Sequence, residues 1–150
     1  LSKMMRYMLY ESEQGNTRLS REIEFMKGYI DLMKLRLNDR VRLMVSFPEE
    51  YEDQDLPPLL FIPFIENAFK HGVSSVEASF VDIALGVDEG MITFLASNSI
   101  SRRESDGPQV DSGIGLDNVR KRLALLYPGR HDLRIDRQEK IYTVQLTVRQ

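Results

Sequence analysis

Hydrophobic positions change their period several times along this chain, and each change marks an expected element. Over Leu1–Glu13, Met4, Met5, Met8 and Leu9 recur at three- and four-residue spacing, which predicts a helix that Gly15 and Asn16 punctuate. A second helix is expected from Ser20, a suitable N-cap, to Asn38. Ile23, Met26, Ile30, Met33 and Leu37 form one apolar stripe on it, and Phe25, Tyr29, Leu32 and Leu35 a second. One stripe suffices for packing on a domain. The second leaves two readings open, a helix packed only on its own domain or one that also forms a helical dimer interface.

From Val41 the period falls to two. Val41, Leu43, Val45 and Phe47 oppose Arg42, Met44 and Ser46, the pattern of a half-buried strand. An acidic loop, Glu49–Asp55, leads to Pro57-Pro58, where a helix is expected to begin, run through His71 and stop at Gly72. Pro63 falls inside that span, where it should remove one backbone hydrogen bond and bend the first turns. Val81, Ile83, Leu85 and Val87, then Ile92, Phe94 and Ala96, alternate on either side of Asp88-Glu89-Gly90, which predicts a hairpin. Ile100–Asp111 has no periodicity. A helix from Gly115 to Tyr127 carries Leu116, Val119, Leu123 and Leu126, and Pro128-Gly129 ends it. Leu133/Ile135 and Val144/Leu146/Val148 complete five strands. The expected architecture is an α+β sandwich, a mixed, mostly antiparallel sheet covered by helices on one face and preceded by N-terminal helices.

Composition narrows the chemistry. The 20 basic and 23 acidic residues leave a net charge of −3 over 150 residues, without the basic footprint that nucleic acid or a polybasic membrane surface needs. The absence of cysteine excludes disulfides, thiolate metal sites and cysteine nucleophiles. The longest apolar run, Leu56–Ile65, holds three prolines and is far short of the roughly 20 residues that span a bilayer. The chain opens at Leu1 in mid-helical pattern and reads as a piece of something larger.

Two segments carry candidate chemistry. In Glu66-Asn67-Ala68-Phe69-Lys70-His71-Gly72, residues three and four apart share a helix face, so Asn67, Lys70 and His71 project together with Glu66 beside them. An amide oxygen can ligate Mg²⁺, a carboxylate can orient water, and Lys can pair with phosphate. The same residues also fit an i,i+4 ion pair, Glu66–Lys70, next to a helix end. The second segment, Ser112-Gly113-Ile114-Gly115-Leu116-Asp117-Asn118, is a flexible loop entering a helix, where free N–H groups can meet an anion. Asp117 suits the helix dipole without any further role.

In this order the motifs resemble the LytS/YehU type of sensor histidine kinase, within the gyrase–chaperone–histidine kinase–MutL ATPase superfamily. LSREIEFMKGYIDLMKLRLNDRV is similar to that family's linker helix, LPPLLFIPFIENAFKHG to its N box, and SGIGLDNVRKRLALLYP to its glycine box and following helix. LSKMMRYMLY resembles the segment just after the phosphoacceptor helix begins. The resemblance implies a Bergerat-type ATP-binding domain over 39–150 behind a helical segment, 1–38, that ends a dimerisation helix and supplies the linker. It also implies Mg²⁺ held by Asn67, Glu66 as the acidic neighbour, and Lys70 and His71 near the phosphates. Gly113, Ile114, Gly115 and Leu116 would wrap the nucleotide, with Ile100–Asp111 as lid. Asn118 and Arg122 stand where the family has the same residue types, a phosphate or lid role being one option for them.

Two positions depart from the pattern. Ser97-Asn98-Ser99 stands where the superfamily has Asp-x-Gly, whose carboxylate accepts from the adenine amino group, so Asn98 or Ser97 must read the base instead. Losing a buried charge-assisted hydrogen bond costs about 1.5–3 kcal/mol, or roughly one to two decades of affinity. Tyr142-Thr143 replaces a late Gly-Thr. The two histidines, His71 and His131, lie outside any phosphoacceptor context, which places the expected phosphoacceptor upstream of Leu1. The implied partners are ATP, a response regulator and a second copy joined through the N-terminal helices. The implied location is the cytoplasmic part of a membrane-anchored protein. The competing expectations are a nucleotide-weak signalling and dimerisation module, and a stand-alone ATPase of the same superfamily.

Overall fold

The computed structural model describes residues 15–73, 77–100 and 114–150. The helix expected over 1–13, lid residues 101–111 and Gly113 lie outside the described residues. In chain order the elements are β1 (Thr17–Arg18), α1 (Leu19–Lys34), β2 (Val41–Ser46), β3 (Asp55–Leu56), α2 (Ile62–Gly72), β4 (Ser79–Asp88), β5 (Met91–Ser99), α3 (Ile114–Leu126), β6 (His131–Arg137) and β7 (Ile141–Arg149).

Five strands form one sheet in the order β2-β4-β5-β7-β6. The β2–β4 pair is parallel and the other three pairs are antiparallel. The β4–β5 hairpin closes through Glu89 and Gly90, both at positive φ, which matches the twist of the flanking strands. Val81, Ile83 and Leu85 on β4, Ile92, Phe94 and Ala96 on β5, and Val144, Leu146 and Val148 on β7 are buried on one face beneath the helices. Asp82, Ser97 and Thr143 alternate onto the other face, where the Ser97 and Thr143 hydroxyls lie 3.1 Å apart. The α+β expectation therefore holds, including the sheet covered on one face.

Several boundaries move, each for a physical reason. β1 and β3, a two-residue antiparallel pair, are too short to show a period. α1 begins at Leu19 with Arg18 in the cap position, and Arg18 makes no side-chain cap. Ser20 is not the N-cap. Its amide instead donates to Asp53 Oδ1 at 2.9 Å and its hydroxyl to Oδ2 at 2.7 Å, so the cap arrives from a distant loop. α1 ends at Lys34, not Asn38, because the Leu35, Arg36 and Leu37 amides each bond three residues back. Its first stripe is the buried one. On the second stripe, Phe25 is buried while Leu32 and Leu35 are 47% and 81% exposed, so that stripe does not pack on its own domain throughout.

α2 begins at Ile62 rather than at Pro57, which leaves Pro63 in the first turn. There the amide has no intrahelical partner to lose, and the expected bend has no cause. On α3, Leu126 is 39% exposed and Tyr127, just past the helix, takes the buried position. The sheet edges β2 and β6 stay only half covered, with Leu43, Leu133 and Ile135 packed at the margin of the core.

Asp53 is the polar anchor of α1. Burial alone would raise its carboxyl, but the Ser20 hydroxyl, the Ser20 and Gln54 amides and Arg18 together hold it below its ordinary value. A carboxyl lowered in the folded state stabilises fully above its unfolded value and loses that contribution as pH falls through the folded one. Asp53→Asn should therefore lower the melting temperature at pH 7, by an amount equivalent to about 1 kcal/mol. Thermal melts should show the gap from wild type closing as pH drops below about 4.

Candidate functional site

α2 is amphipathic, and its packing decides which side chains face out. Phe64, Ile65, Ala68, Phe69 and Gly72 are buried against the sheet, with the Phe64 ring centroid 6.1 Å from that of Phe94. Phe61, in the cap position, stacks on the same Phe94 ring at 5.0 Å. Once that face is committed, Asn67, Lys70 and His71 are carried together on another, Asn67 and His71 half-buried and Lys70 exposed. Glu66 is also exposed. Burial and then the Glu66 charge both push the Tyr29 hydroxyl above its ordinary value. Among the described residues, Glu66 and Lys70 form no ion pair with each other, so the simple i,i+4 alternative is not realised.

The end of α2 meets the sheet more closely than an ordinary helix can. A Cβ at Gly72 would lie 2.6 Å from Asn98 Cβ and 3.0 Å from Val81 Cγ2. A glycine that stops a helix usually does so in the left-handed region, but the left-handed glycines among the described residues are Gly15, Gly90 and Gly129. Gly72 is a glycine for want of space. Its carbonyl accepts from the Ser99 hydroxyl at 3.2 Å, and Ser99 Oγ in turn accepts from the Phe80 amide at 2.9 Å.

This contact joins the two motifs that looked separate along the chain. Asn98 is 1% exposed on the helix-covered face of β5, directly beneath the end of α2. Its Nδ2 donates to the Ser99 carbonyl at 2.9 Å, which leaves Oδ1 as the acceptor of that side chain. Ser97 faces the other side of the sheet with Thr143 and is not brought to this point.

The glycine segment enters α3, whose first residues include Ile114 and Gly115. Leu116 is half-buried and packs on the core, and Asn118 is exposed. Arg122 is occupied differently from expectation. Its Nη2 donates to the Pro58 carbonyl at 2.6 Å and its Nη1 to the Leu59 carbonyl at 3.3 Å, so it serves the turn before α2.

Sequence reasoning missed Glu22. It is 1% exposed on α1, and Oε1 accepts from the Leu59 amide. The signal was present, because Glu22 stands three residues from Leu19 and four from Met26, on the buried stripe. Among the described residues no cluster of three or more acidic or histidine side chains could hold a metal, and no helix is long and apolar enough to cross a membrane.

A family model described as "Histidine kinase" matches residues 1–41. The chain is 32% identical over 120 residues to the sensor protein kinase HptS of Staphylococcus aureus, covering 80% of this chain and 20% of that one. It is 24% identical over 162 residues to the sensor protein LytS of Oceanobacillus iheyensis, covering 97% of this chain and 27% of that one. The chain is homologous to the LytS-type sensor histidine kinases. It spans about a quarter of the length of the curated relatives it matches. The fold of this chain matches that of histidine kinase catalytic domains. The histidine kinase domain of the blue-light activated kinase from Erythrobacter litoralis EL346 superposes with a TM-score of 0.58 at 17% identity, over 83% of this chain and 63% of that one.

The close approach at Gly72 yields a sign reversal. Gly→Ala inside a helix ordinarily stabilises by about 1 kcal/mol. Here the added methyl must displace Asn98 or Val81, so Gly72→Ala should destabilise by roughly 1–3 kcal/mol. Chemical denaturation of the two proteins measures the sign directly.

Proposed function

We propose that this chain is the ATP-binding catalytic region of a two-component sensor histidine kinase. Mg·ATP held between the polar face of α2 and the start of α3 would donate its γ-phosphoryl group to a histidine elsewhere in the full protein. The bond from the γ-phosphorus to the bridging oxygen breaks, a phosphorus–nitrogen bond forms on that histidine, and ADP leaves. The phosphoryl group would then pass to an aspartate of a response regulator. The observation that carries this reading is the meeting of α2 and Asn98. One helix bears Asn67, Lys70 and His71 towards solvent, and its end rests on a buried amide suited to a purine edge.

Each side chain has a stated task under this reading. The Asn67 carboxamide oxygen is the protein ligand for Mg²⁺, and its half-buried place limits competition from water. Mg²⁺, when bound, supplies charge neutralisation on the phosphates. Glu66 is the acidic neighbour that orients water or a metal-bound group. Lys70 and His71 add positive charge and hydrogen-bond donors along the same face. Backbone N–H groups over Gly113, Ile114, Gly115 and Leu116 meet the phosphates at a helix N-terminus. Asn98 Oδ1 accepts from the adenine amino group. A second copy joined through the N-terminal helices and anchorage of the full protein at a membrane, with this region on the cytoplasmic side, complete the proposal. The competing reading, a nucleotide-weak signalling and dimerisation module, draws its support from the neutral amide of Asn98 in place of a carboxylate.

Calorimetric titration separates the two. Mg·ATP should bind with a dissociation constant in the micromolar-to-millimolar range, and Asn67→Ala should abolish binding at 1 mM nucleotide, about −4 kcal/mol of affinity at that threshold. The bond from Asn98 Nδ2 to the Ser99 carbonyl orients the amide, and where Oδ1 accepts from the adenine amino group guanine presents a carbonyl, acceptor to acceptor. Mg·GTP should therefore bind at least about tenfold more weakly. A wild-type chain that fails to bind millimolar Mg·ATP leaves the signalling module standing.

A further inference from the structure

The turn that precedes α2 holds Leu59 at φ +60°, a left-handed conformation that a branched side chain rarely adopts. Both polar groups of that residue are taken by charged side chains from two other helices. The buried Glu22 carboxylate of α1 accepts from the Leu59 amide, and the Arg122 guanidinium of α3 donates to the Leu59 and Pro58 carbonyls. Glu22 is near enough for its charge to act on Arg122 against the effect of burial there. A buried carboxylate and a half-buried guanidinium are costly unless each is answered, and here a strained turn is what they answer together.

The two ends of α2 are consequently held in different ways. Gly72 rests on Asn98 with no room for a methyl group, which makes that end a fixed point. The other end packs Phe61 and Phe64 on the Phe94 ring, and the Leu59 turn that leads into it is held by polar contacts to α1 and α3. Asn67 lies midway along the eleven residues of the helix. A shift of the turn would enter α2 at the end that carries Phe61 and Phe64 and would be felt at Asn67, three residues beyond Phe64.

We propose that Glu22 and Arg122 are positioning residues for the nucleotide site, coupling the placement of the N-terminal helix α1 to Asn67 through the Leu59 turn. The inference rests on the nucleotide reading above for its consequence, but the coupling itself can be measured without nucleotide. Movement of α1, the element nearest the N-terminal end of the described chain, then changes affinity for Mg·ATP although α1 contributes no ligand to it.

The test uses the full chain and three variants. Glu22→Gln keeps shape and removes the charge that the Leu59 amide meets; Arg122→Met keeps the stem and removes the donors; the third variant combines them. Amide hydrogen exchange without nucleotide should quicken over residues 59–69 in each single variant. Mg·ATP affinity should fall about tenfold, and the double variant should be no worse than the weaker single one. Arg122→Lys should recover part of the loss. Gly90→Ala, which strains a left-handed position in the β4–β5 turn without touching α1 or the Leu59 turn, should lower the melting temperature yet leave Mg·ATP affinity unchanged.

Unchanged exchange over 59–69 overturns the proposal, as do additive losses in the double variant. Equal loss of affinity in Gly90→Ala also overturns it, since the effect would then be general destabilisation. Quickened exchange with unaltered affinity does the same. If wild type itself fails to bind Mg·ATP, the functional reading falls, and exchange together with its additivity still decides the coupling. Should Arg122→Met fail to fold, the near-isosteric Glu22→Gln and Arg122→Lys carry the same readouts.

Discussion

The seating of α2 on β5 is the contact on which the rest of the site depends. Two phenylalanine rings, Phe61 and Phe64, converge on Phe94, and at the far end Gly72 lies against Asn98. Aromatic contacts of this kind fix rotation as well as distance, because a turned helix would lose both rings at once. With the rotation fixed, the polar face of α2 has one available direction. Asn67, Lys70 and His71 face outward as a consequence of what Phe64, Ile65, Ala68 and Phe69 must bury. Core and site are two faces of one helix, so a packing error would be a misplacement of the polar residues.

Polar contacts secure what apolar packing leaves adjustable. α1 has a buried stripe, yet a helix can slide along a greasy surface at little cost. Two directional attachments remove that freedom: Asp53 at its first turn, and Glu22 into the Leu59 turn. Both partners come from the segment between β2 and α2. That stretch reads as a mere acidic connection, but it works as the clasp between the N-terminal helix and the domain, with β1 and β3 adding a short ladder. Net contributions of single hydrogen bonds are about 1 kcal/mol. The clasp therefore sets geometry more than it adds stability.

Much of this was legible from periodicity alone. The alternation in β4, β5 and β7 is clean because one face is buried under helices and the other is wet, the situation in which period two is most readable. The polar cluster on α2 was legible for the same reason, as polar residues at the wrong phase for a core stripe. What could not be read shares one property: dependence on contacts between residues far apart in sequence. Ser20 looked like a cap because its own chemistry suits one, whereas the oxygen comes from Asp53, 33 residues on. Gly72 looked like a helix terminator, while its reason is the Asn98 and Val81 atoms that crowd it. Pro63 was expected to bend a helix whose start, set by the Leu59 turn, places it harmlessly in the first turn. Arg122 carries a guanidinium that suits phosphate equally well, and only the position of the Pro58 and Leu59 carbonyls assigns it.

Charge gives the clearest case of a local arrangement overriding a global quantity. A chain of net charge −3 repels an anion at long range, which argues against a polyphosphate ligand if net charge is the guide. At physiological ionic strength, though, exposed charges more than about 8 Å away are largely screened. The acidic residues that make up the balance include Asp53, which already answers Arg18 and the Ser20 amide, and Asp132, which answers Arg134. Under the proposed reading a phosphate would respond instead to Lys70 and His71, neighbours on α2, and to the N–H groups at the start of α3. Mg²⁺ bound with the nucleotide would reduce the remaining repulsion further. Under the proposed reading the neutral Asn98 would meet the base end, where no charge has to be matched. Its cost is the loss of a charge-assisted hydrogen bond, set against a side chain whose orientation Ser99 has already fixed.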